Sequence, residues 1–230
     1  MLTPVRQRLH ITFGKLGPLK FIGHLDLAKT WERVLRRADL PILYTQGFNT
    51  RPRIQLATAV PLGVTSECEI VDVALRETLP TLDGIAERLE SVSPPGLRVY
   101  RVEDTPINGP PLQTMVTSAE YRITPLDAID ENALRERVAA LLAAERIIKV
   151  KQSKRRKSSF DMRPLVHALA LDDEHGGSLV AHVAVGERGS LRIEDLLAEL
   201  GLKDVPVNVH RFRLHLDDYY ARLRANRNEP

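Results

Sequence analysis

The sequence contains a single cysteine, Cys68, among its 230 residues. One thiol excludes an internal disulfide framework, because each bridge needs two. It also excludes a zinc or iron–sulfur site held by several cysteines of this chain. Thiols are kept reduced in the cytosol, where disulfides are rare. We therefore expect a cytoplasmic setting, and we assign neither a metal nor a cofactor.

Long apolar runs are also missing. No run reaches the ~18–20 residues that cross a bilayer, and the first ten residues, MLTPVRQRLH, lack the apolar core of a secretory signal. The sequence has no glycine-rich phosphate loop, nucleophile elbow or carboxylate cluster with metal spacing. We therefore expect no membrane partner. The composition that is present, 43% hydrophobic and 27% charged residues, is sufficient for one large domain or two small ones.

Charge is distributed unevenly along the chain, although the net charge is only +3. Residues 1–60 carry 10 Lys and Arg against 3 Asp and Glu, and residues 149–157 carry 6 against none. Residues 61–148 carry 8 against 15, and residues 158–230 carry 9 against 12. Two cationic segments favour a polyanionic partner, and such a partner predicts that they meet on one surface. The alternative is two solvated faces balanced by neighbouring acids.

Periodicity predicts the same order of elements twice: strand, helix, two strands, helix, strand. In the first half the predicted strands are 5–13, 41–44, 67–75 and 97–102, and the helices are 24–40 and 81–92. In the second half the strands are 114–124, 147–151, 178–185 and 207–216, and the helices are 130–144 and 193–200. This order predicts an α+β fold of two ferredoxin-like (βαββαβ) modules with antiparallel sheets. The predicted boundaries are 1–106 for the first module, 107–113 for a linker, 114–216 for the second module with a basic insert at 149–157, and 217–230 for a polar tail.

The densest group of polar and cationic residues lies between residues 21 and 63. His24 opens the predicted helix, where unpartnered N–H groups attract anions, and Asp26 suits the helix dipole and could orient His24. The alternative is an ordinary capping pair. Phe48 lies in a loop among cations, as expected of an aromatic residue that stacks on a single-stranded base; the alternative is that Phe48 packs into the core.

The candidate phosphate contacts come from three places in the sequence. Arg51 and Arg53 share one side of an extended segment, and two guanidinium groups on one side can bind successive phosphates. The run at 149–157 is expected to be a phosphate-binding arm, or alternatively a solubilising loop. The candidate RNA-binding residues are Arg33, Arg36, Arg37, Phe48, Asn49, Arg51, Arg53, Lys154, Arg155, Arg156 and Lys157. The scattered histidines, His10, His167, His182, His210 and His215, are interpreted as structural.

Four segments of the sequence form recognisable motifs: FIGHLDL at 21–27, LPILYTQGFNTRP at 40–52, PLGVTSECE at 61–69 and, more weakly, FDMRPL at 160–165. Together they resemble a bacterial family of unknown function whose members are fused to, or encoded beside, radical-SAM proteins. The motif residues are His24, Asp26, Gly47, Gly63, Asp161 and Arg163. Asp39, Thr45 and Thr50 depart from the family pattern without removing a charge or a ring. Because the chain lacks the three-cysteine cluster motif, the resemblance implies an accessory part rather than the radical enzyme.

These observations favour a non-catalytic module that binds structured RNA, such as tRNA or rRNA, and presents it to a radical-SAM partner. One alternative is a metal-independent endoribonuclease with His24 as general base and Tyr44 or an arginine steadying the phosphorane. A further alternative is a protein-binding adaptor for the radical-SAM protein. Whether the chain is an enzyme stays open at the level of sequence, and the binding role is preferred.

Overall fold

The computed structural model describes residues 4–152, 157–172, 177–187, 189–217 and 219. The chain divides into two compact units, an N-terminal unit of residues 1–116 with 217–230 and a C-terminal unit of residues 117–216. Both contain strands and helices, so the predicted α+β class is confirmed. Among the described residues, no helix has the length and apolar character to cross a membrane.

Within its described residues, the N-terminal unit contains one antiparallel sheet, three α-helices and a 3-10 helix. Its strands follow the spatial order β4-β1-β3-β2, and β1 pairs antiparallel with both β3 and β4. The elements are β1 (Gln7–Lys15), a 3-10 helix (Gly17–Phe21), α1 (His24–Arg37), β2 (Ile54–Leu56), β3 (Thr65–Leu75), α2 (Ile85–Ser91), β4 (Leu97–Asp104) and α3 (Leu112–Met115).

The core of this unit follows directly from the periodicity of α1. Leu27, Trp31, Val34 and Leu35 recur at three- and four-residue steps, and all four are buried. The Trp31 ring meets Phe13 of β1 edge to face, with 4.9 Å between ring centroids. This apolar stripe anchors one side of α1 and leaves its arginines on the exposed side.

The segment after α1 differs from the sequence prediction. The helix ends at Arg37 rather than residue 40, because Asp39 adopts a positive φ of 50° and Pro41 has no N–H to continue the helical hydrogen bonds. The strand predicted at 41–44 is absent. In its place are two isolated bridges, Ile42 to Leu75 and Tyr44 to Pro52.

Arg8 of β1 holds the segment that the sequence predicts to be a linker. Its guanidinium donates to the carbonyl oxygens of Pro106 (3.2 Å), Gly109 (3.1 Å) and Pro110 (2.9 Å). Arg8 Nε also donates to both carboxylate oxygens of Asp72, at 3.0 and 2.8 Å, and the pair is largely buried. The proline-rich segment is therefore tied to the sheet.

The C-terminal unit contains a second four-stranded arrangement, in the order β10-β5-β9-β8, and a separate two-stranded ribbon, β6-β7. Its elements are β5 (Val116–Pro125), α4 (Glu131–Ala143), β6 (Ile148–Gln152), β7 (Lys157–Asp161), a 3-10 helix (Arg163–Leu165), β8 (Val166–Asp172), β9 (Ser178–Ala184), α5 (Ile193–Glu199) and β10 (Val207–Leu216).

The prediction that residues 147–151 supply the second strand of this sheet is wrong. β8, which the sequence reading did not identify, pairs with β9 instead. Val166 and Leu169 give β8 a buried side, whereas Ile148 and Val150 of β6 are 53% and 65% exposed. The two apolar side chains of β6 therefore face solvent rather than the core of the sheet.

Candidate nucleic-acid interface

Residues 43–53 form a hairpin-like projection, here called the basic hairpin. The backbone N–H of Thr45 donates to the carbonyl of Arg51, and that of Arg53 donates to the carbonyl of Leu43, both at 2.8 Å. The N–H of Arg51 also donates to Thr45 Oγ1 at 2.9 Å. These bonds fix the two arms and leave residues 46–50 to form the tip.

The tip of the basic hairpin presents a bare aromatic ring. Phe48 is fully exposed, so it is not part of the core. Gly47 before it has φ of 127°, a conformation open to glycine and strained for other residues, and Asn49 after it is exposed. Because the Phe48 ring is exposed to water, it does not gain the free energy that burial of apolar surface provides. The ring is therefore available to stack on a base.

Arg51 and Arg53 lie on the returning arm of the hairpin. Both side chains are exposed, and Pro52 between them is half-buried, as alternation along an extended segment requires. Neither guanidinium has an ion-pair partner among the residues that the structure describes. The two charges are therefore available to an external anion.

The C-terminal half of α1 adds three more arginines. Arg33 and Arg37 are exposed and have no acidic partner among the described residues, whereas Arg36 pairs with Glu32 at 2.7 Å. A hydrogen bond to the Tyr44 hydroxyl, assisted by Glu32, raises the pKa of Arg36. This bond joins α1 to the first arm of the basic hairpin.

A cavity of about 630 Å³ opens beside the hairpin. This volume lies within the ~300–1,000 Å³ that small-molecule sites usually occupy. Its floor is apolar and its rim carries hydroxyl, amide and guanidinium groups. The lining residues are Leu40, Ile42, Leu43, Tyr44, Thr45, Gln46, Gly47, Thr50 and Arg76.

His24 and Asp26 do not act as a capping pair. Gly23 is the N-cap of α1, and no side chain caps the helix. His24 is exposed as the first helical residue, and the carboxylate of Asp26 faces Lys29 Nζ at 3.4 Å. Asp26 is thus directed toward a lysine.

Apolar side chains are exposed around the start of α1. Phe21, Leu25 and Leu62 are 69%, 75% and 66% exposed. The N–H of Gly63 donates to the carbonyl of Lys20 at 2.9 Å, which fixes the 61–63 turn against the 3-10 helix that ends at Phe21. Exposed apolar side chains gathered at one place are typical of protein contact surfaces.

The second basic segment is described only in part. Lys149 on β6 forms an ion pair with Glu199 of α5, so its charge is already matched. Lys157 is the first residue of β7. Lys154, Arg155 and Arg156 lie outside the described residues. The expectation that this segment shares one surface with the N-terminal arginines stays a prediction.

Asp161 and Arg163 hold the turn between β7 and β8. Asp161 accepts hydrogen bonds from the backbone N–H groups of Ile147 (2.9 Å) and Arg163 (3.1 Å), and these bonds lower its pKa. Arg163 donates to the carbonyls of Val166 and Leu142, at 2.9 and 3.1 Å. These bonds tie the turn to the end of α4.

Comparison with protein families matches residues 8–193 to the family described as an uncharacterized protein conserved in bacteria (DUF2344). The chain belongs to the DUF2344 family. The matched region contains the basic hairpin and the FDMRPL turn. A search of curated proteins found no match.

Two solved structures are similar to this DUF2344 chain at low identity. One chain of a crystal structure of a Cbf5-Nop10-Gar1 complex is 13% identical, with a TM-score of 0.47; the alignment covers 96% of this chain and 57% of that chain. An unknown protein from Galdieria sulphuraria is 14% identical, with a TM-score of 0.24 and coverage of 89% and 98%. The DUF2344 chain thus spans little more than half of the first chain.

Sequence reasoning missed one polar cluster of the DUF2344 chain, on the C-terminal unit. His167, His182 and His215 lie 15 or more residues apart in sequence, yet their rings are in contact. No ligand spacing signals the cluster, because only the strand order brings the three residues together. Among the described residues, no group of three or more His, Cys, Asp and Glu side chains is arranged to hold a metal ion.

Proposed function

We propose that the chain is a non-catalytic RNA-binding module that presents structured RNA, tRNA or rRNA, to a radical-SAM protein. The observation that carries the proposal is the fully exposed Phe48 ring at the tip of a hairpin, followed by two exposed arginines that have no acidic partner in the described part of the chain. An aromatic ring next to free guanidinium groups matches the two surfaces of a single strand, its bases and its phosphates.

Loops of structured RNA fit this arrangement better than duplex does. Bases in a loop are unstacked and can lie on an aromatic side chain, whereas the deep, narrow groove of an RNA duplex keeps its base edges out of reach. The cavity beside the hairpin has room and polar rim groups for one such base. Arg33 and Arg37 on α1 extend the cationic surface next to it.

Other parts of the proposal rest on the element order, the resemblance and the charge pattern. We propose that both units are ferredoxin-like modules, as their strand–helix order suggests. The radical-SAM partner is proposed from the family resemblance, and the exposed Phe21, Leu25 and Leu62 would offer it a contact surface. We further propose that Lys154 to Lys157 reach the same RNA. The ribonuclease alternative with His24 as general base stays a prediction.

Replacing Phe48 with alanine is expected to weaken binding of a stem–loop RNA by about 5- to 150-fold, since stacking on an aromatic residue contributes about 1–3 kcal/mol per base. Phe48→Trp is expected to retain binding and to supply a fluorophore that RNA quenches, because the single native tryptophan, Trp31, is fully buried. Fluorescence anisotropy of labelled RNA at low salt measures the affinities.

The matched control is Leu126→Ala, which removes a side chain that is 57% exposed on the C-terminal unit. It is expected to leave the affinity unchanged. Equal RNA affinities of Phe48→Ala and Leu126→Ala would contradict a role of the basic hairpin in RNA binding. Failure of the wild-type chain to retain any RNA at low salt would reject the function itself.

A further inference from the structure

Three histidines from three strands of the C-terminal unit form a continuous stack of rings. His167 lies on β8, His182 on β9 and His215 on β10; the centroid distances are 5.0 Å from His167 to His182 and 4.7 Å from His182 to His215. Two hydrogen bonds orient the rings of His182 and His215. His182 Nε2 lies 2.8 Å from Ser118 Oγ, and His215 Nε2 lies 2.7 Å from Glu120 Oε1.

The charges around the stack are balanced when its rings are neutral. Glu120 of β5 accepts from Arg213 at 3.2 Å and from His215. Burial alone would raise the pKa of Glu120, but the His215 hydrogen bond and the Arg213 charge together lower it, so it is ionised. Burial, followed by the neighbouring His215 and His167, lowers the pKa of His182, while Glu120 opposes this effect. His182 is therefore neutral at pH 7.

Both ends of the stack are accessible to solvent. His167 is exposed, and the side chains of Arg213 and His215 are 62% and 35% exposed. Imidazole rings bind RNA bases by stacking, and arginine binds phosphate. The stack thus offers a base platform at one end and donors for an anion at the other.

We propose that this stack is a second RNA contact, at which one nucleotide of a single strand stacks its base on His167 while the adjacent phosphate binds Arg213 and the protonated His182. The inference rests on the proposed RNA-binding function and adds a site remote in sequence from the basic hairpin. It also makes part of the binding depend on the protonation of His182.

The direction of the pH dependence follows from the charge balance. A phosphate beside the His182 ring stabilises the protonated form of that ring, so RNA binding takes up a proton. Affinity therefore rises as pH falls from 8 to 6, with a slope that approaches about tenfold per pH unit for one proton taken up. Above the pKa of His182 in the complex, this contribution is lost.

The test measures the affinity of the full chain for a labelled single-stranded RNA between pH 6 and 8. The wild type is expected to bind more tightly at the lower pH, and His182→Gln is expected to flatten this dependence while thermal unfolding shows a folded chain. His167→Ala is expected to weaken binding throughout the range. His210→Gln, a histidine on β10 outside the ring stack, is expected to keep the wild-type profile.

A second measurement does not depend on the basic hairpin. Uridine 5′-monophosphate is titrated against the chain while the histidine ring resonances are followed by NMR, and it is expected to raise the pKa of His182. An unchanged His182 titration, or a His182→Gln variant with the wild-type pH profile, overturns the inference. If RNA binding still depends on Arg51 and Arg53 in that case, the proposed function stands; if the wild type binds no RNA at all, the proposed function fails.

Discussion

Replacing Arg51 and Arg53 together with glutamate is expected to reduce RNA affinity at least about 100-fold. Hydrogen bonds to charged groups contribute about 1.5–3 kcal/mol each, and about 1.4 kcal/mol corresponds to a factor of ten. The two glutamates would also repel the phosphates that the arginines attract. Because phosphate contacts carry no sequence information, the loss is expected for every RNA tested. The measurement is an anisotropy titration at fixed salt.

The matched control reverses two arginines of β4, Arg98 and Arg101. This variant changes the net charge of the chain by the same amount, but its arginines already pair with Glu90 and Glu103, at 2.6 and 2.9 Å. It is expected to bind RNA within a few-fold of the wild type. Equal losses in the two variants would mean that only the overall charge matters, and the basic hairpin would lose its assigned role.

Replacing Asp72 with alanine is expected to lower the free energy of unfolding by about 3–5 kcal/mol, the usual effect of breaking a buried ion pair by removing one partner. Asp72 accepts from Arg8 through both carboxylate oxygens, and both side chains are 9% exposed. Without the carboxylate, the Arg8 guanidinium stays buried, and its hydrogen bonds to three backbone carbonyls remain. These carbonyls do not replace the negative charge that Asp72 supplied.

Urea denaturation followed by circular dichroism measures this change. Asp72→Asn keeps a hydrogen-bond acceptor but loses the charge. Its free energy of unfolding is expected to lie between those of Asp72→Ala and the wild type. Glu77→Ala removes an exposed partner of Arg76, 3.5 Å away, and is expected to change stability by less than about 1 kcal/mol. A loss for Asp72→Ala no larger than that of Glu77→Ala would contradict the structural role of the pair.

The fold is predictable from sequence in segments where apolar residues recur with one clear period. The three- and four-residue steps of Leu27, Trp31 and Val34 predict the buried side of α1, and alternation predicts β3 and β10. The second strand of the C-terminal unit is not predictable in this way, because β6 and β8 are both short. Burial decides between them, and burial depends on contacts that the local sequence does not contain.

For the candidate site, the sequence predicts which residues take part but not how they are arranged. Glycine, asparagine and arginine around Phe48 predict an exposed loop, but the ring could equally have packed inward, and only the structure places it in water. The bond from Arg36 to Tyr44 joins two segments that no motif connects. The imidazole stack has no local signature at all, since sheet order alone brings its rings together.

The most direct test of RNA binding by the basic hairpin is the salt dependence of wild-type affinity for a single-stranded RNA. Each phosphate contact on a single strand contributes about −0.7 to the slope of log K against log salt. Arg33, Arg37, Arg51 and Arg53 are the four arginines of this surface without an acidic partner among the described residues, so the expected slope is about −3. A slope near zero, or no binding at about 50 mM salt, would contradict the account.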